Sequence, residues 1–295
     1  MPYPRNRRLI THASALSLLL WACLPARLRA EEPAPVAGPR PDLGYWSTGK
    51  PRLFLSTRSE LGLLYVKPYL SAGYGQPHWI WGGVDANAMS TLEFAQWYAG
   101  VRAATPLLDL AFGLRDTWSF QKALLQPARS FSRADVLDAP GPSAHYLAWE
   151  GEAVAILPLP YSALVADFIF VRTQDVPQGR LLYEENYRAI VADPLFFTLR
   201  TAAVARLLRQ DALKVGLLTE YVFGTGRPHD VVRVGPVAAL QLTDHLQAQV
   251  GVTFAVHSPD RLGLVLGAYG VAGLRYQWAS GERNPQPPWR GRLIP

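Results

Sequence analysis

The chain has 295 residues, of which 49% are hydrophobic and 18% are charged, so it is long and apolar enough to bury a large ordered structure. Its formal net charge of +6 comes mostly from residues 1–30, which contain five arginines and no acidic residue. The rest of the chain has 24 basic and 23 acidic residues, a balance that gives no indication of a nucleic-acid-binding surface.

Residues 1–30 have the pattern of a secretory signal peptide. Basic residues between Arg5 and Arg8 precede an apolar run at residues 9–24, and residues 28–30 resemble a cleavage site. An N-terminal membrane anchor is less favoured because the apolar run is short. The pattern therefore predicts Sec-dependent export.

The only cysteine, Cys23, lies within the predicted signal peptide. The sequence Leu20-Trp21-Ala22-Cys23 resembles a lipobox but has a tryptophan at its second position, so lipidation of Cys23 stays open. Without Cys23 the mature chain has no thiol, which excludes a disulfide framework and a thiolate metal site.

A proline-rich linker, predicted to be periplasmic, occupies residues 31–52 and precedes the first strands. Apolar and polar residues alternate within residues 60–74 and again within residues 92–104, which predicts two strands separated by a long loop at residues 75–90. The same period of two predicts further strands at residues 107–120, 146–157, 162–171 and 189–208.

The strongest pattern lies in the C-terminal third, where four consecutive segments alternate strictly. These segments are residues 213–224, 232–242, 246–257 and 262–278. Each is at least as long as the roughly 9–11 residues that a tilted strand needs to cross a membrane.

These segments predict an all-β fold, a transmembrane up-and-down antiparallel β-barrel of about ten strands within a range of eight to twelve. The barrel is predicted at residues 53–280 and is followed by a proline-rich tail at residues 281–295. Long connections follow odd strands and short ones follow even strands, as in barrels with short periplasmic turns and longer external loops.

Alternation alone does not decide which face of the barrel is outside, since a soluble, lipocalin-like barrel that binds an apolar ligand would be apolar inside. Here one face consists almost only of Leu, Val, Ala and Phe, whereas the other carries glycines, amides and charges. Aromatic residues typical of a membrane-interface girdle gather near strand ends on the apolar face: Tyr74, Trp118, Phe168, Phe170, Tyr221, Phe223, Tyr276 and Trp278.

With these features, residues 53–280 resemble the outer-membrane β-barrel proteins of Gram-negative bacteria. The resemblance implies a place in the outer membrane, with its lipids and the barrel assembly machinery as partners. Such barrels usually end in an aromatic residue, whereas this chain continues past Trp278. The Tyr276/Trp278 pair is the expected substitute for that assembly signal. The oligomeric state stays open.

Two short patterns are candidates for hydrolytic chemistry. Ser143 and His145 place a hydroxyl and an imidazole on one strand face near the external rim, as an outer-membrane lipid hydrolase requires, but no third, orienting group is identifiable. Glu150 and Glu152 resemble the paired carboxylates of an acid–base site, or half of an omptin-like protease site, but the aspartates and the Asp–His pair of that pattern are missing. Interior carboxylates that pair with arginine are the commoner role.

No cofactor or metal is predicted. The histidines at His78, His229, His245 and His257 do not occur at ligand spacing, and Gly224-x-Gly226 lies in a hairpin loop rather than before a helix.

The predicted interior face carries charges of both signs. These are Lys67, Asp109, Arg115, Glu150, Glu152, Asp167, Arg200, Lys214, Glu220, Arg233 and Arg275. Mixed signs favour a salt-bridged, largely plugged interior over a charge-selective pore. We therefore expect a non-enzymatic outer-membrane barrel with a structural role or a role in passing small solutes. A hydrolase that acts on lipid or peptide at the external rim is the alternative.

Overall fold

The computed structural model describes residues 50–120, 123–137, 143–174, 177, 179–207, 212–263 and 268–281. The predicted signal peptide, nearly all of the linker and nearly all of the C-terminal tail lie outside these residues. No helix in the described part of the chain is long and apolar enough to cross a membrane.

The larger of the two sheets in the described chain is antiparallel and closes on itself. Its strands are β1 (Arg52–Gly62), β2 (Tyr65–Lys67), β3 (Tyr69–Gln76), β4 (Ile80–Thr91), β5 (Phe94–Ala104), β6 (Leu108–Ser119), β8 (His145–Leu159), β9 (Ser162–Thr173), β12 (Leu195–Leu207), β13 (Leu213–Phe223), β14 (Val231–Gln241), β15 (Leu246–His257) and β16 (Ala268–Ala279). Each strand pairs with its neighbours, and β1 pairs with β16 through contacts such as Glu60 with Arg275. The sheet is therefore a closed barrel.

The barrel has twelve strands, so the prediction of about ten was wrong by two. Segments β2 and β3 form one barrel strand, because both pair with β1 and β4 and only Pro68, which has no N–H to donate, separates them. The predicted strand at residues 60–74 is in fact the end of β1, a reversal at Leu63 and Leu64, and the start of the next strand.

The predicted loop at residues 75–90 is mostly strand β4. Gly82 and Gly83 interrupt the alternation of apolar and polar residues in this segment. The period of two that predicts a strand is therefore not visible there. The predicted rule that long connections follow odd strands therefore fails twice, when β2 and β3 are counted as one strand. Only residues 63–64 follow the first barrel strand, and only residues 92–93 follow the third.

The two ends of the barrel differ in their connections. At one end, here called the short-turn end, the turns include residues 77–79, 105–107, 160–161 and 242–245. At the other, the long-loop end, the chain makes long excursions between β6 and β8 and between β9 and β12. The predicted strand at residues 189–208 is two separate strands in the structure. Ala189–Val191 belongs to the second excursion, and the barrel strand β12 begins at Leu195, after Pro194.

The long excursions contain regular structure of their own. A three-stranded sheet consists of β7 (Leu124–Leu125), β10 (Leu181–Glu184) and β11 (Ala189–Val191), and a short helix, α1, covers Arg133–Leu137. We call residues 124–137 and 181–191 together the loop insert.

Close approach of neighbouring strands requires glycine at several positions. A Cβ on Gly113 would lie 2.3 Å from the Ala99 carbonyl oxygen and 2.7 Å from the Tyr98 ring. Tyr98 therefore lies over a strand that has no side chain there, and its ring fills the space that the glycine leaves.

We predict that Gly113→Ala destabilises the folded barrel by about 1–3 kcal/mol, because the new methyl group overlaps backbone and ring atoms. The measurement is the temperature at which the purified protein in detergent loses its compact, unheated gel mobility and its strand-type circular dichroism. Gly82→Ala is the matched control, since the nearest atom to a Cβ there is 3.8 Å away. Equal melting temperatures for Gly113→Ala and the control would contradict this packing.

Candidate functional site

The two faces of the barrel wall can be assigned from contacts that cross it. On β6, Leu110 and Phe112 are exposed, whereas Arg115, on the opposite face, is buried. Arg115 binds Glu184 of the loop insert, and the next turn of that insert binds Arg233 of β14. Since β6 and β14 lie far apart around the barrel, the insert spans the interior, and Arg115 and Arg233 face inward.

The first interior ion-pair group is centred on Arg115. Its Nε donates to Glu150 Oε2 at 2.8 Å, and its Nη1 donates to Glu184 Oε1 at 2.9 Å. The side chains of Arg115 and Glu184 are 1% and 0% exposed. A buried charge of this kind needs its partner, because removal of one member leaves the other unpaired in a poorly solvated site.

A second group connects the next four strands around the wall. Arg200 donates from Nε to Glu220 Oε2 at 2.7 Å and lies 3.6 Å from Asp167 Oδ2 through Nη1. Arg233 binds the other oxygen of Glu220. These side chains join β9, β12, β13 and β14 into one charge-alternating network.

Both groups hold the loop insert. Arg233 donates to the carbonyl oxygens of Tyr187 and Arg188 at 3.0 and 2.8 Å. The ring of Tyr187 lies between two guanidinium groups, with its centroid 5.9 Å from Arg115 Cζ and 5.6 Å from Arg200 Cζ. The tip of the insert is therefore fixed by cation–π contacts and by hydrogen bonds from charged donors.

An apolar core surrounds this tip. Leu182, Ala189 and Val191 of the insert pack with interior residues of the wall, among them Phe196 and Val222, and all five are almost fully buried. The long-loop half of the interior is thus filled by a small hydrophobic core, not only by ion pairs.

The insert is also tied to the rim. Arg227 Nη1 lies 2.5 Å from Asp260 Oδ2, and the same carboxylate accepts from the Phe131 N–H at 2.9 Å. Arg133 of α1 binds Glu93 at 2.7 Å. Ion pairs and hydrogen bonds therefore link four connections at the long-loop end, those that follow β4, β6, β13 and β15.

The short-turn half of the interior has separate ion pairs. Arg102 binds Asp109 through two hydrogen bonds of 2.8 and 2.7 Å, and its Nη1 lies 3.4 Å from Asp85. Arg275 binds Glu60 at 2.9 and 2.7 Å. No element of the loop insert takes part in these contacts.

The remaining predicted interior charges are arranged differently. Lys67 lies over the Tyr69 ring at 5.5 Å, and Lys214 is exposed. Glu152 lies in β8 without an ion pair to any described residue. Glu150 and Glu152, predicted as a possible carboxylate pair, thus differ in their surroundings, because only Glu150 binds an arginine.

Sequence reasoning missed Glu60, Asp85, Arg102 and Glu184. Arg102 alternates with the apolar residues of a predicted strand and could have been assigned to the interior. Glu60 and Asp85 were hidden by the incorrect boundaries of the first strands. Glu184 lies in a connection, and its sequence contains no signal for a place inside a barrel.

His145 has an acidic partner, Asp116, that the sequence analysis did not identify. His145 Nε2 lies 2.5 Å from Asp116 Oδ1, and Trp97 Nε1 donates to Asp116 Oδ2 at 3.1 Å. The imidazole also stacks on Trp118, with 5.1 Å between ring centroids. Ser143 makes no hydrogen bond to His145 within the described residues, so this hydroxyl has no base that activates it.

The described residues contain no cluster of three or more histidine, cysteine or acidic side chains that could hold a metal ion.

The insert also contains a titratable carboxyl group. Burial, together with the neighbouring Glu184 carboxylate, raises the pKa of Glu185 to about 7, and Tyr146 donates to Glu185 Oε2 at 2.8 Å. Because this pKa is higher in the folded insert than in an unfolded chain, the folded insert binds the proton more tightly. The resulting stabilisation is complete below about pH 4.3, the ordinary pKa of glutamate, and it is lost as the pH rises through about 7.

We predict that the loop insert loosens as the pH rises from 5 to 8. Hydrogen exchange of residues 181–191, corrected for the intrinsic pH dependence of exchange, should become faster over this range. Glu185→Gln keeps a neutral side chain of the same shape and should remove most of this dependence. An equally strong pH dependence in Glu185→Gln would contradict the assignment.

No protein-family model matches the chain, and no curated protein matches its sequence. Among solved structures, KdgM porin matches with a TM-score of 0.39 and 9% identity over 76% of this chain and 99% of its own. OmpTΔL8, a loop-deletion mutant of an outer-membrane protein of Vibrio cholerae, has a TM-score of 0.35 and 10% identity over 77% and 99% of the two chains. A mutant of Rh. blastica porin has a TM-score of 0.25 and 7% identity over 77% and 98%. At these TM-scores the similarities establish no common function.

Proposed function

We propose that this chain is an outer-membrane β-barrel that passes small solutes through an interior restricted by the loop insert. The observation that carries the proposal is the contrast between the two faces of the closed wall. Leu53, Val84, Val101 and Val256 are more than half exposed on the outer face, whereas the inner face holds the ion pairs. A water-soluble protein would not leave such a band uncovered, and hydrocarbon would cover it.

The hydrogen bonding of the wall supports the same location. Every barrel strand has a partner on both sides, so no strand edge is left unpaired. Backbone groups in hydrocarbon have no water to bind, and only helices and closed barrels satisfy all of them. The strands of 11–15 residues, such as β1 and β8, are long enough for a tilted crossing, which needs roughly 9–11 residues.

The difference between the two barrel ends supports an orientation. Barrels of this kind have short periplasmic turns and longer external loops. The short-turn end therefore faces the periplasm in our proposal, and the loop insert enters the barrel from outside.

The restricted passage is supported by how the two halves of the interior are filled. Among the described residues, the insert and its apolar core occupy the long-loop half, whereas the short-turn half contains only side chains that reach inward from the wall. Solutes would then meet the insert as the barrier, and its attachment to Arg115 would set how often the barrier opens.

We predict that Glu184→Gln raises the conductance of the protein in planar bilayers, in step size or open time. The change removes the buried ion pair to Arg115, and breaking such a pair costs about 3–5 kcal/mol when one charge is left unpaired. The remaining bond from Arg115 to Glu150 places the effect at the lower end of this range.

Asp135→Asn is the control for this experiment. Asp135 belongs to the same insert and carries the same charge, but it is exposed and its hydrogen bonds reach only Ser132. A large, steady conductance of the unmodified protein would show that the insert does not restrict the interior. Unchanged conductance in Glu184→Gln would show that this ion pair does not hold the barrier.

We predict opposite labelling at the two ends of the barrel. Pro228 and Thr105 are both exposed, and they lie at the long-loop end and the short-turn end. On intact cells a membrane-impermeant thiol reagent should modify Pro228→Cys and spare Thr105→Cys, whereas both should react after the outer membrane is opened. The reversed pattern would overturn the proposed orientation.

A lipid or peptide hydrolase receives less support. The pair of Asp116 and His145 lies close to the aromatic residues Trp97 and Trp118, which is also the arrangement of a polar and aromatic girdle at a membrane interface. A nucleophile bonded to the imidazole is the element that would favour hydrolysis, and the described contacts do not include one.

A further inference from the structure

The short-turn half of the barrel interior contains an arginine that differs from all the others described above. Arg58 lies on β1 and shares its face with Ser56 and Glu60, whereas the exposed Leu55 and Leu61 lie on the opposite face. Since Glu60 binds Arg275 across the interior face of the β1–β16 seam, the side chain of Arg58 is directed inward as well.

Arg58 has no ion pair and no hydrogen bond within the described residues, and its buried Nε has no partner. The acidic groups nearby are already used. Both oxygens of Asp109 accept from Arg102, and Glu60 accepts two hydrogen bonds from Arg275. A guanidinium has five donors and no acceptor, so the donors of Arg58 that no protein group accepts are free to bind water or an anionic ligand.

Charges of both signs act on Arg58. Arg102 and Arg275 oppose its charge, and Asp109 favours it. At the short-turn end, the turn at residues 77–79 brings His78 close to the same group, and the His78 Nε2 lies 3.1 Å from the Trp278 carbonyl oxygen. His78 has a φ of 60°, the left-handed conformation, within this turn.

We propose that Arg58 is the centre of a binding site for a small oxyanion, a carboxylate or a phosphate group of a solute that enters the barrel. A planar guanidinium binds both groups through two parallel hydrogen bonds. Arg58 is partly exposed, so a small solute can reach it. This inference rests on the proposed passage of solutes, and it names their chemical class.

The test is the binding of inorganic phosphate and of acetate to the purified, folded protein in detergent, measured by isothermal titration calorimetry with chloride as the background anion. Binding is expected for the unmodified protein. Arg58→Gln should weaken it about tenfold, as expected for the loss of charge-assisted hydrogen bonds. Arg58→Lys keeps the charge but loses the two-point geometry, and should also bind more weakly.

Lys214→Gln is the matched control, because Lys214 is an exposed cation of the same barrel interior and its removal changes the net charge by the same amount. It should bind both anions as the unmodified protein does. A loss of affinity in Lys214→Gln equal to that in Arg58→Gln would overturn the proposal, since it would show a general effect of net charge. Unchanged affinity in Arg58→Gln, or no binding by the unmodified protein, would overturn it too.

A second measurement needs no variant and so does not depend on whether Arg58→Gln folds. Phenylglyoxal modifies accessible arginines, and mass spectrometry reports modification of the peptide that contains Arg58. A phosphate concentration ten times the dissociation constant should slow this modification about tenfold. Modification at the same rate with and without phosphate would overturn the site. Because neither measurement involves conductance, failure here leaves the proposed passage function standing.

Discussion

The closure of the sheet between β1 and β16 is the constraint on which the rest of the structure depends. Through this seam the last strand satisfies the backbone groups of the first, so the wall has no free edge. Closure also separates two environments, an outer face of exposed leucines and valines and an inner face of arginines and carboxylates. Since a strand alternates its side chains, each strand supplies both faces at once, and closure leaves no unpaired backbone edge in the wall.

Inside the barrel, the long-loop end contains both buried ion pairs and an apolar core, whereas the short-turn end contains ion pairs of the wall. At the long-loop end, Arg115 and Arg233 are almost fully buried and bind the loop insert, while Leu182 and Phe196 form a core around the same contacts. At the short-turn end, Arg102 and Arg275 pair with acids of the wall, and no described residue of the loop insert takes part. A buried ion pair gains little stability over apolar packing, but it discriminates strongly against misplaced partners. We therefore interpret Arg115 and Arg233 as groups that fix the position of the insert, and the apolar core as the main source of its stability.

Arginines in the short-turn half differ in their pairing. Arg102 and Arg275 bind their acids through paired hydrogen bonds, whereas Arg58 has no acidic partner among the described residues. Near the outer rim, the Asp116–His145 contact shows the opposite case, in which an acid and an imidazole satisfy each other on the outer wall next to tryptophan rings. We interpret polar groups whose hydrogen bonds are made within the protein as structural. A cation that faces the interior without an acidic partner is a better candidate for binding a ligand.

By itself, the sequence determined the class of the fold. Period-two alternation from residue 92 onward predicted the barrel strands, because the pattern of side chains along a strand is local. It also predicted that Arg115, Glu220 and Arg233 share one face. The strand count needed tertiary structure, since the reversal after Gly62 and the glycines of β4 leave no periodic signal and only pairing with β1 and β5 defines them. The place of Glu184 was likewise decided by the fold, because a carboxylate in a long loop finds a buried arginine only when the barrel closes around it.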